Sequence, residues 1–194
     1  MKKTVYMLAI IMLLAPVLSV SGKEHGDNNL TQAMAFGRTQ IGLNEVIGSV
    51  EKVSGGRVVK IEIEQQGKLH PAKKGLPMFE VESVKDGTMA KYYVDPVTGK
   101  IIDQKQVWWQ VFDFDTPWKS EGFAKVKVPM VQAVSVAEQA SGGKAMSAKL
   151  KERHGVFFYM IRTIADSNIK IVLIDPDNGK VYMEPEGIST KCSH

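Results

Sequence analysis

The 194-residue sequence predicts an α+β fold of two tandem modules, each an amphipathic helix packed on an antiparallel β-sheet. Three observations predict it. An apolar stripe at helical spacing runs into Ser-Gly-Gly twice, at Ser54-Gly55-Gly56 and at Ser141-Gly142-Gly143. A run alternating apolar and polar residues follows each stop, as a half-buried strand does. Each unit then closes on an apolar run, Asp-Pro-x-x-Gly-Lys and a second apolar run, first at Lys91–Ile102 and again at Ile171–Tyr182. A Pro-containing turn closed by Gly between two apolar runs reads as a β-hairpin.

In chain order, Met1-Lys2-Lys3 precedes an apolar run from Val5 to Leu18 and the small-x-small pattern Ser19-Val20-Ser21. This is the layout of a secretory signal peptide, whose cleavage leaves no stable membrane span. The run is short for a membrane span and is soon followed by small polar residues, which leaves an uncleaved anchor as the minor alternative. No cysteine stands at the cleavage point, which argues against a lipoprotein. Residues 23–30 are polar and read as a leader. Leu43, Val46, Ile47, Val50 and Val53 form the first helical stripe, with a start as early as Thr31 open to the pattern. Met130, Ala133, Val134, Ala137 and Ala140 repeat it 87 positions later, with Pro129 where a first helical turn accepts proline.

Val59, Ile61 and Ile63 alternate with Lys60, Glu62 and Glu64, a strand with one wet face. Met146, Ala148 and Leu150 alternate with Ser147, Lys149 and Lys151 in the second unit, so Lys replaces Glu outside. The next strands read Phe79–Glu82 and Tyr159–Arg162. The offset between units falls there from 87 to 80, which places seven extra residues in the loop Gln66–Pro77. The division is 1–21 signal peptide, 22–38 leader, 39–103 first module, 104–127 linker, 128–184 second module and 185–194 tail.

Cleavage after Ser21 removes two lysines and no acid, which lowers the formal charge from +4 to +2. With both signs interspersed, that balance offers nothing to nucleic acid. The single cysteine, Cys192, forms no internal disulfide, so packing must stabilise the chain.

The helix ending in Gly-Gly, the alternating strand and the hairpin carrying Asp95-Pro-Val-Thr-Gly99-Lys100 together resemble the PepSY domain, in two copies at about Thr39–Asp103 and Val128–Met183. The resemblance implies a helix on an antiparallel sheet and an inhibitory or regulatory role in the bacterial envelope, as in propeptides of secreted metallopeptidases. It implies no catalytic residues. No peptidase domain accompanies the copies, so control of a peptidase would act on a separate chain.

Elsewhere the chemistry is sparse. Asp175-Pro-Asp177-Asn178-Gly179 begins like a calcium loop, but its glycine comes fifth where that loop needs it sixth. Ser141-Gly-Gly-Lys144 has serine-lysine spacing without the supporting motifs. His25, His70, His154 and His194 are scattered, and Cys192 with His194 makes too few ligands for a closed metal site. No catalytic, cofactor or metal residues are therefore assigned. The richest candidate is the linker, where Trp108, Trp109, Phe112, Phe114 and Trp118 gather all three tryptophans of the chain. Such rings either pack between the modules or bind a partner, and aromatic residues are enriched at interface hot spots. The expected function is a periplasmic or secreted, non-enzymatic protein that binds and regulates another envelope or secreted protein, a peptidase among the candidates. The alternative is a small-ligand or metal-binding sensor.

Overall fold

The computed structural model describes residues 31–65, 76–107, 121–166 and 168–183. Residues 31–36 form a short helix, α1, separated from the next helix by a bend, so no single helix runs from Thr31. The order continues with α2 (Leu43–Ser54), β1 (Arg57–Gln65), β2 (Pro77–Lys85), β3 (Thr88–Val94) and β4 (Ile101–Gln106). A 3-10 turn at Glu121–Lys125 leads to α3 (Met130–Ser141), β5 (Lys144–Arg153), β6 (Val156–Ala165), β7 (Asn168–Ile174) and β8 (Val181–Met183). The order of one helix and four strands thus occurs twice. The eight strands among the described residues nevertheless belong to one antiparallel sheet, ordered β4-β3-β2-β1-β5-β6-β7-β8. α2 lies over β1 and β2, α3 lies over β5, β6 and β7, and the helices also touch each other.

The seam between the halves is the β1–β5 pair. Lys60 faces Lys149, Ile61 faces Ala148 and Glu62 faces Ser147. Since Ile61 and Ala148 are 87 residues apart, each half meets the other at its own equivalent position, about a local two-fold axis. The same bulge kinks both strands, between Val58 and Lys60 and between Ala145 and Ser147.

Local hydrogen bonds recur at the same offsets. Gly55 and Gly142 adopt φ of 63° and 69° and donate their N–H groups to the Glu51 and Glu138 carbonyls, ending the helices in the left-handed conformation glycine tolerates. The second glycine of each pair has a different cause. A Cβ on Gly56 would lie 2.5 Å from the Val84 carbonyl oxygen, and one on Gly143 would lie 2.7 Å from that of Ile164. Glu51 Oε1 accepts the Val58 N–H at 3.0 Å, and Glu138 Oε1 accepts the Ala145 N–H at 2.9 Å, fixing each helix to the strand it feeds.

The Asp-Pro turns are architecture. Asp95 Oδ1 accepts the N–H groups of Val97 and Thr98, and Asp175 Oδ1 accepts that of Asp177. The Pro96 carbonyl accepts the Gln40 N–H at 2.9 Å, and the Pro176 carbonyl accepts those of Lys127 and Val128 at 2.9 and 2.8 Å. Each turn therefore holds the segment that enters its helix.

Two expectations need correction. Val53 is 62% exposed and Ala140 is also exposed, although both were placed on the buried stripe. At about 100° per residue, position 54 lies closer than 53 to the centre of the stripe set by Leu43, Val46, Ile47 and Val50. Ser54 and Ser141 therefore close the buried faces, with the Ser54 hydroxyl 2.9 Å from that of Ser83. The second correction concerns the outer face of β1, which is not wet: Glu62 is only 5% exposed.

Candidate functional site

Opposite the helices, β1, β2, β3 and β5 carry an interlocked set of charges. Alternation puts Lys60 and Glu62 on this face, and the register brings Glu80, Glu82, Lys91 and Lys149 beside them. Lys60 Nζ contacts Glu62, and lies 3.4 Å from both Glu80 and Glu82. Lys91 Nζ lies 2.8 Å from Glu80 and 3.1 Å from Glu82, and Lys149 reaches across the seam to the other oxygen of Glu62. Three lysines thus neutralise three glutamates whose exposures are only 3–6%.

Burial alone would lower Lys60 and Lys91, yet the glutamates overcome it and raise both. Burial likewise pushes Glu62 up, while the Lys60 and Lys149 ammoniums outweigh it and hold the carboxyl below its ordinary value. Glu64 behaves oppositely. Burial raises it, the Glu80 and Glu62 carboxylates raise it further, and no lysine outweighs them. Carboxylate oxygens of Glu62, Glu64 and Glu80 lie within 4.8 Å of one another. Glu62 and Glu80 are already held by ammonium groups, so the set is built as an ion-pair network.

The sheet has two edges. β4 pairs with β3 alone among the described residues, and its last three residues are exposed. Asp103 and Lys105 are 4.0 Å apart, and the Lys105 ammonium stands 5.4 Å from the centre of the Tyr93 ring. β8, the opposite edge, has three residues. At the N-terminal side of α2, residues from α1 to Glu45 face the end of α3 and the start of β5 across a cleft of about 780 Å³. Nearby, Asn44 Nδ2 donates to Ser135 Oγ at 2.9 Å and ties α2 to α3, while Asn44 Oδ1 is buried without a hydrogen-bond partner among the described residues.

Trp108, Trp109, Phe112, Phe114 and Trp118 lie outside the described residues, as do His25, His70, His194, Cys192 and nearly all of the predicted insertion. His154 is exposed with φ 53° in the two-residue turn between β5 and β6. Asp175 accepts from its own turn, through Asp177 N–H and Asn178 Nδ2. The ion-pair network was missed by sequence reasoning. Its signal was the period-two placement of opposite charges at Lys60/Glu62, Glu80/Glu82 and Lys91, which acquires meaning only with the strand register.

Residues 47–105 match the PepSY family, described as peptidase propeptide and YPEB domain. A PepSY domain therefore extends from within α2 almost to the end of β4. Among solved structures, a candidate lipoprotein from Clostridium difficile 630 is 19% identical, with 75% of this chain and 95% of that one covered and a TM-score of 0.38. No curated protein matches the chain. No helix among the described residues is long and apolar enough to cross a membrane.

Proposed function

We propose, from the PepSY domain at residues 47–105, that this is an exported, non-enzymatic protein that binds and regulates another envelope or secreted protein, with a peptidase as the leading class. In this reading residues 39–103 and 128–184 are two PepSY-like modules, 104–127 links them, and 1–21 is a cleaved signal peptide. The recurrence of cap, bulge and turn contacts at constant offsets supports the pairing of modules.

The observation that carries the binding role is the position of β4. It pairs with β3 alone among the described residues, and in sequence it continues through Gln106 and Val107 directly into Trp108. A partner strand added to β4 would gain main-chain hydrogen bonds there, and the adjoining aromatic residues would supply anchors. Trp108, Trp109, Phe112, Phe114 and Trp118 are accordingly the proposed partner-binding residues.

The test is affinity capture from envelope extract with wild type and with a Trp108→Ala, Trp109→Ala double variant, followed by hydrogen exchange on the recovered complex. A partner captured by wild type, lost with the variant and protecting the 101–106 amides supports the proposal. Equal capture by both proteins, or no partner at all, refutes it.

A further inference from the structure

Residues lining the cleft beside β5 have counterparts in the other half, and the aromatic position they share is used differently there. The walls of the cleft include Phe36, Ile41, Glu45, Glu138, Lys144 and Asp166, and its volume of about 780 Å³ lies within the range of small-ligand sites. At the recurring offsets, Phe36 corresponds to Phe123, Lys144 to Arg57, Glu138 to Glu51 and Asp166 to Asp86. In the other half the Arg57 guanidinium stands 5.2 Å from the centre of the Phe123 ring, and the adjoining Val126 and Val128 are buried. That half therefore fills the position with its own cation.

On the cleft side the corresponding residue is the shorter Lys144, which is exposed. Cations among the described residues stand over Phe123, Tyr93 and Tyr182, not over Phe36. Glu45, Glu138 and Asp166 line the cleft together with this one lysine, so acidic residues outnumber basic ones among its walls. Glu138 spends one oxygen on the Ala145 N–H. We propose that the cleft binds an organic cation, a guanidinium or primary amine on a short apolar stem, seated against Phe36 with Glu45 and Asp166 as counter-charges. The aromatic face attracts the cation, and the stem lies along Phe36 and Ile41. This site is independent of the β4 edge.

The test is an NMR titration of the isotope-labelled protein with arginine amide, with citrulline amide as an uncharged match, and with the blocked peptide acetyl-Gly-Gly-Arg-Gly-Gly-amide. Saturable shifts confined to residues 36–45, 143–145 and 164–166 are expected for the arginine compounds, with citrulline amide about fivefold weaker or worse. Phe36→Leu keeps apolar bulk, and Asp166→Asn suits the Asp166 φ of 48°. Each should retain the native spectrum and weaken binding about two- to fivefold. Tighter binding of the peptide would identify a protein side chain as the natural source, and tighter binding of arginine amide a free metabolite; both orders support the cation site. Absence of saturable shifts with either, or equal binding of citrulline amide, overturns it.

Discussion

Glu62 and Lys149 occupy equivalent positions 87 residues apart, and they form an ion pair with each other across the β1–β5 seam. A local two-fold axis brings equivalent positions together, so two identical halves would have set like charges face to face. The same logic applies at the axis itself, where Ile61 meets Ala148 and both are fully buried. The halves are therefore complementary in charge and in size. Lys149→Glu should destabilise the fold by about 2–4 kcal/mol, below the range for fully buried pairs because the Lys149 side chain is 20% exposed. Adding Glu62→Lys should recover part of the loss. Urea denaturation of the two single variants and the double variant measures the coupling, and strictly additive losses would show that the pair does not join the halves.

The two glycines that end each helix should respond differently. Gly142→Ala forces a Cβ into left-handed backbone in open space, at a cost of about 1 kcal/mol. Gly143→Ala sets a Cβ 2.7 Å from the Ile164 carbonyl oxygen, backbone that cannot turn aside, and should cost about 2–3 kcal/mol. Thermal or urea unfolding of both variants tests the ranking. Equal losses would mean that β6 moves away freely.

The helices, their Ser-Gly-Gly stops and the strands were legible because periodicity and turn chemistry are local. Fusion of all strands into one sheet was not, since β1 and β5 meet through pairing between residues nearly 90 positions apart. The charged face was misread for the same reason. Lys60-Ile-Glu62-Ile-Glu64 is indistinguishable from a solvated strand until Lys91 and Lys149 are brought beside it. The cleft was also beyond reach, because Phe36 and Lys144 are 108 positions apart and only the packed helices bring them to one cleft.

Acid should act on the charged face in two opposing ways. Glu62 is held below the ordinary glutamate value of 4.5, so its contribution is present above 4.5 and lost as pH falls through its folded value. Glu64 is raised, so its contribution is full below 4.5 and is lost as pH rises through its folded value. Glu64→Gln should therefore be more stable than wild type at pH 7, with the difference vanishing below about pH 4. Urea midpoints from pH 3 to 8 measure this. A Glu64→Gln profile parallel to wild type would remove Glu64 from the coupled set.

Tyr159 should set an alkaline limit. Its hydroxyl is buried and donates to the Val128 carbonyl at 2.7 Å, fixing β6 to the segment that enters α3. Burial raises the group to about 12, against an ordinary value of 10.0, with the Arg57 guanidinium partly opposing the rise. A raised value means that stability is complete below pH 10 and is lost as pH climbs towards 12, where the unfolded chain ionises first. Tyr159→Phe removes the hydrogen bond and leaves the Val128 carbonyl without this donor, so it should lose about 1–2 kcal/mol at pH 7. The same variant should lose less stability than wild type between pH 9 and 12, because it has no buried phenol to ionise. Parallel alkaline profiles for the two proteins would show that other groups govern that limb.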